Sequence, residues 1–114
     1  MTVNDIYLSF GEALHESTVD EDWKSAHLFI LCLEGTARFN AHYLNIKDEK
    51  TSIKARNFSK LYESVHELHA ITTEGGHNRW NRLEFTLFPD FKFDMKFIWD
   101  QELQDEVDGY NRQM

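Results

Sequence analysis

The sequence is short of cysteine, proline and glycine, and it has no long apolar run. Each shortage excludes something. Cys32 is the one cysteine, so no intramolecular disulfide can form, and this usage is the one expected in a reducing cytosol. Pro89 is the one proline and glycines number 5 in 114 residues, which leaves no Pro/Gly-rich linker to divide the chain. Residues 1–114 therefore read as a single domain, with 101–114 as an acidic C-terminal segment. The longest apolar stretch, Leu28 to Leu33, falls far below the roughly 20 residues that a membrane helix needs. The opening MTVNDIYLSF lacks the basic start and apolar stretch of a signal peptide. No membrane contact is expected, and the expected compartment is the cytoplasm.

Basic residues are the other shortage. Twelve Lys and Arg stand against 20 Asp and Glu, for a net charge of -8. The bases are scattered as Lys47 and Lys50, Lys54 and Arg56, then Arg79 and Arg82. Release of counterions from nucleic acid needs such groups clustered, so nucleic acid is not expected as a direct ligand. An acidic surface steers basic proteins in. What the chain does have is apolar mass: 41% hydrophobic residues, with 9 Phe, 3 Trp and 4 Tyr. That suffices for one core without a structural metal.

Periodicity divides the chain into elements. Val3, Ile6, Phe10, Ala13 and Leu14 recur at helical steps, with Thr2 or Asn4 as the cap, and His15 to Asp22 reads as a loop. Two β-rich runs follow from Trp23. They meet at Glu34-Gly35-Thr36, and in the second Ala37, Phe39, Ala41 and Tyr43 alternate with polar residues, so an antiparallel hairpin is expected. Asp48-Glu49-Lys50 marks a turn and Thr51 to Ala55 a short strand. A second helix, capped by Asn57 or Ser59, carries Phe58, Leu61, Val65, Leu68 and Thr72 and stops at Gly75-Gly76. Leu83, Phe85 and Leu87 then alternate on one strand. Past the Pro89-Asp90 turn, Phe91, Phe93, Met95, Phe97 and Trp99 alternate on another. That alternation predicts Phe93, Met95 and Phe97 in the core, with Lys92, Asp94 and Lys96 facing away. Asp100 to Tyr110 reads as a short helix fraying after Gly109. The expected fold class is α+β, an antiparallel β-meander of four to five strands with two main helices on one face, in the order α-β-β-(β)-α-β-β-(α).

Chemical motifs are sparse. His66-Glu67-Leu68-His69 spaces its histidines three apart, where a helix-borne zinc pair of the zincin kind needs four. His27 and His42 can oppose one another across the hairpin, as a pH-sensitive pair or as two sheet-face histidines. Cys32 sits in an apolar run without the basic setting of a reactive thiolate. There is no nucleophile elbow and no glycine-rich phosphate loop. Neither catalysis nor a cofactor or metal is expected. Asp100, Glu102, Asp105, Glu106 and Asp108 form the one charge cluster without a base, bracketed by Trp99 and Tyr110. It is either a solvated tail or a patch for a basic partner. Asp48 and Glu49 offer a second acidic contact.

The stretch Arg79 to Phe93 with Phe97-Ile98-Trp99-Asp100, together with Asp22-Trp23-Lys24 before a hairpin, resembles the YezG-like antitoxin or immunity proteins of bacteria. In that family a Trp opens a strand ending near Pro-Asp-Gly, and a Lys-Phe-led strand follows. Phe91 stands here where the family has Gly, and the family's basic, aromatic C-terminal segment is shortened to residues 106–112. The resemblance implies a cytoplasmic immunity protein that binds and neutralises the C-terminal domain of a cognate toxin, often a nuclease. Two alternatives remain: a small-ligand enzyme on an NTF2-like cone fold, with His27, His42 or an acidic group lining its pocket, and an acidic adaptor or secretion chaperone.

Overall fold

The computed structural model describes residues 2–18, 22–33, 36–74 and 79–112, without the side chains of 55, 56 and 110–112. The turn at Glu34-Gly35, the stop at Gly75-Gly76, His77 and the Tyr110 side chain lie outside that description.

The chain opens with helix α1, Val3–Ser17. Thr2 is its cap: the Thr2 hydroxyl accepts from the Asp5 amide and the Asp5 carboxylate accepts from the Thr2 amide, a reciprocal capping box. Those bonds hold the Asp5 carboxyl below its ordinary pKa. The helix runs three residues past Leu14, so His15 to Ser17 is its last turn and not a loop. These residues are polar because that turn faces solvent.

Strands β1 (Trp23–Leu33) and β2 (Thr36–Asn45) pair antiparallel, with β3 (Lys50–Ile53) outside β2. After β3 the chain turns directly onto the core as a 3-10 helix, Ala55–Leu61, and continues as α2, Tyr62–Thr72. Neither Asn57 nor Ser59 is a cap, because the three-residue rise from Phe58 to Leu61 already buries both apolar side chains in that 3-10 turn. Strands β4 (Arg82–Leu87) and β5 (Phe93–Ile98) form the second hairpin, and α3 (Gln101–Arg112) follows without a break at Gly109.

All five strands lie in one antiparallel sheet of order β3-β2-β1-β4-β5, so the fold is α+β with the expected element order. The 3-10 helix and α2 carry the chain back across the sheet, and β4 joins beside β1. Pairing register sorts the side chains by face. Leu28 and Ile30 of β1 lie beside Ala41 and Phe39 of β2 and beside Phe85 and Leu83 of β4. Onto this face α1 brings Ile6, Phe10 and Leu14, and α2 brings Val65 and Leu68, all fully buried. Phe10 meets Phe85 edge-on at 5.7 Å between centroids. Trp80 closes one end of the core, and its indole Nε1 donates to Thr72 Oγ1 at 2.7 Å. Among the described residues no helix is long and apolar enough to cross a membrane.

One core expectation fails. Phe93 and Phe97 point to the helix-side face, beside Leu87 and Leu83, yet they are 44% and 41% exposed. Met95 is half-buried. The helices cover the centre of the sheet, and they cover the edge strand β5 only in part, with Tyr7 of α1 set 5.9 Å from Phe93 between ring centroids. Phe91 and Trp99 also fall outside the strand.

The two visible hairpin loops share one geometry. In Asn45 to Glu49 the Asp48 amide donates to the Asn45 carbonyl and the Asn45 amide to the Glu49 carbonyl. In Phe88 to Lys92 the Phe91 amide donates to the Phe88 carbonyl and the Phe88 amide to the Lys92 carbonyl. Each puts its third loop residue in the left-handed region, Asp48 at φ 64° and Phe91 at φ 66°. Asp tolerates that conformation, while for Phe it costs roughly 1–2 kcal/mol.

Candidate protein-binding site

The acidic cluster does not act as one group, because α3 separates its members. Asn81, only 3% exposed, fixes the start of this helix. Its side-chain amide donates to the Asp100 carbonyl at 2.8 Å and its Oδ1 accepts from the Asp100 amide at 2.7 Å. Asp100 in turn caps α3, its carboxylate accepting from the Leu103 amide at 3.1 Å. The other carboxylate oxygen lies 3.4 Å from Arg82. Asp100 is thus spent within the fold.

Beyond the cap, the helical repeat sets Glu102, Asp105 and Glu106 along one exposed stripe. Asp105 also accepts from the Gln101 side chain at 2.9 Å. Asp108 lies at the edge of the stripe, half-buried, and accepts from Gln104 at 2.9 Å. Leu103 and Val107 take the other side of the helix. Trp99 is half-buried at the base: the Arg79 guanidinium sits 4.4 Å from its ring centroid, and its Nε1 donates to Gln101 Oε1 at 3.0 Å. A radius of gyration of 15.0 Å, against about 13 Å for a compact chain of this length, fits a helix held mainly at its first turn.

Asp48 and Glu49 lie elsewhere. Their turn is at the Trp23 end of β1, where Asp48 pairs with Lys24. The base of α3 lies at the Leu33 end, because β5 ends opposite Arg82, which in turn pairs with Leu31. At about 3.3 Å per strand residue the two acidic groups are roughly 30 Å apart along the sheet and do not form one surface.

Between α2 and α3 lies a cleft of about 580 Å³, bordered by Cys32, His66, His69, Arg79, Trp99 and Gln104 among others. Much of its polar lining is engaged within the fold. His69 Nε2 lies 2.9 Å from the Trp80 carbonyl and so carries the proton and donates, while the ring meets the Trp80 indole at 4.8 Å. Asn81 holds Asp100. Burial pushes the Cys32 thiol pKa up, which keeps it protonated and poorly nucleophilic. Among the described residues no three His, Cys, Asp or Glu side chains stand together as a metal site.

His27 and His42 do oppose each other, stacked at 4.8 Å between centroids. They lie on the sheet face that α1 and α2 leave open, away from the cleft between α2 and α3. Ser25 Oγ at 2.9 Å and Thr86 Oγ1 at 3.2 Å hold the His27 ring. Burial lowers both histidine pKa values, and for His42 the neighbouring His27 and Lys50 add to the effect.

Neither the known protein families nor the curated proteins contain a match to this chain. Asn81 and Arg79 carry most of the geometry at the base of α3, and sequence reasoning missed both. No local pattern marks an asparagine whose partner lies 19 residues away.

Proposed function

We propose that this chain is a stoichiometric protein-binding inhibitor, an immunity protein that captures a basic toxin domain through the acidic stripe of α3. The observation that carries this reading is the exposed row of Glu102, Asp105 and Glu106 on a helix anchored through Asn81, Asp100 and Arg82. No Lys or Arg occurs between Lys96 and Arg112, so nothing in the segment from Asp100 to Gly109 neutralises the row. Trp99 and Arg79 at its base supply an aromatic anchor beside the charged rim, the pairing that tight interfaces use. Opposite charge raises the rate of encounter, which suits neutralisation of a toxin before it acts.

The test is co-expression with the product of the neighbouring open reading frame, read as copurification in a one-to-one complex and rescue of growth. Changing Glu102→Gln, Asp105→Asn and Glu106→Gln together lowers the association rate at low salt by about tenfold or more and flattens its salt dependence. Folding stability changes by less than about 0.5 kcal/mol, because these charges are solvated. Stopped-flow rates unaltered by the triple change would remove α3 from the interface.

A further inference from the structure

The two edges of the sheet are built differently. β3 is 4 residues long and polar apart from buried Ile53, the short, blunt edge with which folds discourage pairing to another chain. β5 is 6 residues long and alternates Phe93, Met95 and Phe97 with Asp94, Lys96 and Ile98. Its backbone phase follows from two bonds at its ends. The Lys92 carbonyl accepts from the Phe88 amide at 2.9 Å and the Ile98 carbonyl from the Asn81 amide at 3.0 Å. The even-numbered residues therefore turn their peptide groups toward β4. Antiparallel alternation turns the N–H and C=O groups of Phe93, Met95 and Phe97 outward to the free edge. The rings of Phe93 and Phe97 are also left half-exposed there.

Two copies of such an edge can pair antiparallel about a two-fold axis, and side-chain chemistry selects the register. Centred on Asp94, the pairing sets carboxylate against carboxylate. Centred on Lys96, it sets ammonium against ammonium. Registers centred on Phe93 or Phe97 engage only half of the strand. Centred on Met95, Asp94 of each copy faces Lys96 of the other, and Phe93 of each faces Phe97 of the other. Opposite charges fall on one face and aromatic pairs on the other. Phe91, held in a left-handed conformation that disfavours it and 46% exposed, then falls beside Trp99 of the second copy.

We propose that β5 pairs with β5 of a second copy of this chain, antiparallel and centred on Met95, so that two five-stranded sheets become one. The contact is isologous, as in most homodimers. It rests on the β5 edge and not on the toxin reading.

Sedimentation velocity on the purified chain, from about 1 to 300 µM, should show a reversible dimer. Lys96→Asp sets two like-charged pairs in the contact and should raise the dissociation constant at least about tenfold. The double swap Asp94→Lys with Lys96→Asp restores the opposite pairs and should restore the dimer. Lys96 also faces Glu84 of β4, so circular dichroism checks that each variant folds. The register is read separately with Met95→Cys in a Cys32→Ser background. A hydrogen-bonded antiparallel pair holds its Cα atoms about 5.5 Å apart, within disulfide reach, so mild oxidation should cross-link the two copies through Cys at that position. A monomer at every concentration, including one whose β5 is covered only when a toxin domain is added, would overturn the proposal. So would a dimer indifferent to Lys96→Asp, or one that the double swap fails to restore.

Discussion

Phe85 and Phe93 are neighbours on adjacent strands, their rings stacked at 5.1 Å on the same face of the sheet. Phe85 is 1% exposed and Phe93 is 44% exposed. Both sit in clean alternation of apolar and polar residues, so sequence pattern does not separate them. What separates them is α1, which lays Phe10 edge-on against Phe85 and leaves a gap over Phe93, with Tyr7 5.9 Å away between centroids. Alternation determines which face a side chain takes. Coverage of that face depends on where the helices stop.

The widest test of this difference is a pair of truncations. Phe85→Ala should destabilise the fold by about 3–5 kcal/mol, the usual loss for a fully buried Phe. Phe93→Ala should cost about 1–2 kcal/mol, since much of the ring already meets water. Equilibrium denaturation that gives equal losses would mean that the edge is as well covered as the centre.

A smaller effect is expected where the edge strand passes into α3. Asn81→Ala removes both partners of the Asp100 peptide groups and should cost about 1–3 kcal/mol. Because those bonds set the start of α3, the variant should also lose helical signal in far-UV circular dichroism. Undiminished helix content would show that Leu103 and Val107 hold the segment unaided.

The smallest effect concerns the sheet face that no helix covers. His27 and His42 both have lowered pKa values in the folded chain, whereas in the unfolded chain they titrate near the ordinary 6.5. The unfolded chain thus binds more protons near and below that pH. Stability should fall as the pH is lowered from 7 through 6.5 and level off below the folded values. His42→Gln removes one of these sites and leaves the burial of His27 in place, so its denaturation midpoint should vary less between pH 7.5 and 5.5. A variant with the wild-type slope would place the pH dependence on other groups.

Much of the fold was legible from local pattern. Thr2 was one of two candidate caps for α1, and the stripe of Ile6, Phe10 and Leu14 is buried as its spacing requires. The hairpin that opposes His27 to His42 follows from alternation on either side of a turn. The acidic stripe was legible in part. Composition marks Asp100 and Glu102 alike, but only the fold turns Asp100 inward as a cap and leaves Glu102 in solvent. Likewise composition does not say how far Asp48 and Glu49 stand from the C-terminal acids, and the fold sets the two groups at opposite ends of β1.

The sequence by itself determined the α+β class, the faces of its strands and the negative charge, since each depends on residue type and near-neighbour spacing. Tertiary structure decided that β4 inserts beside β1, that Asn81 anchors α3, and that β5 is left as an open aromatic edge. Those outcomes depend on contacts between residues far apart in the chain, such as the 59 positions between His27 and Thr86. Local periodicity carries no information across such a gap, because it records which side of an element is apolar and not which element will cover it.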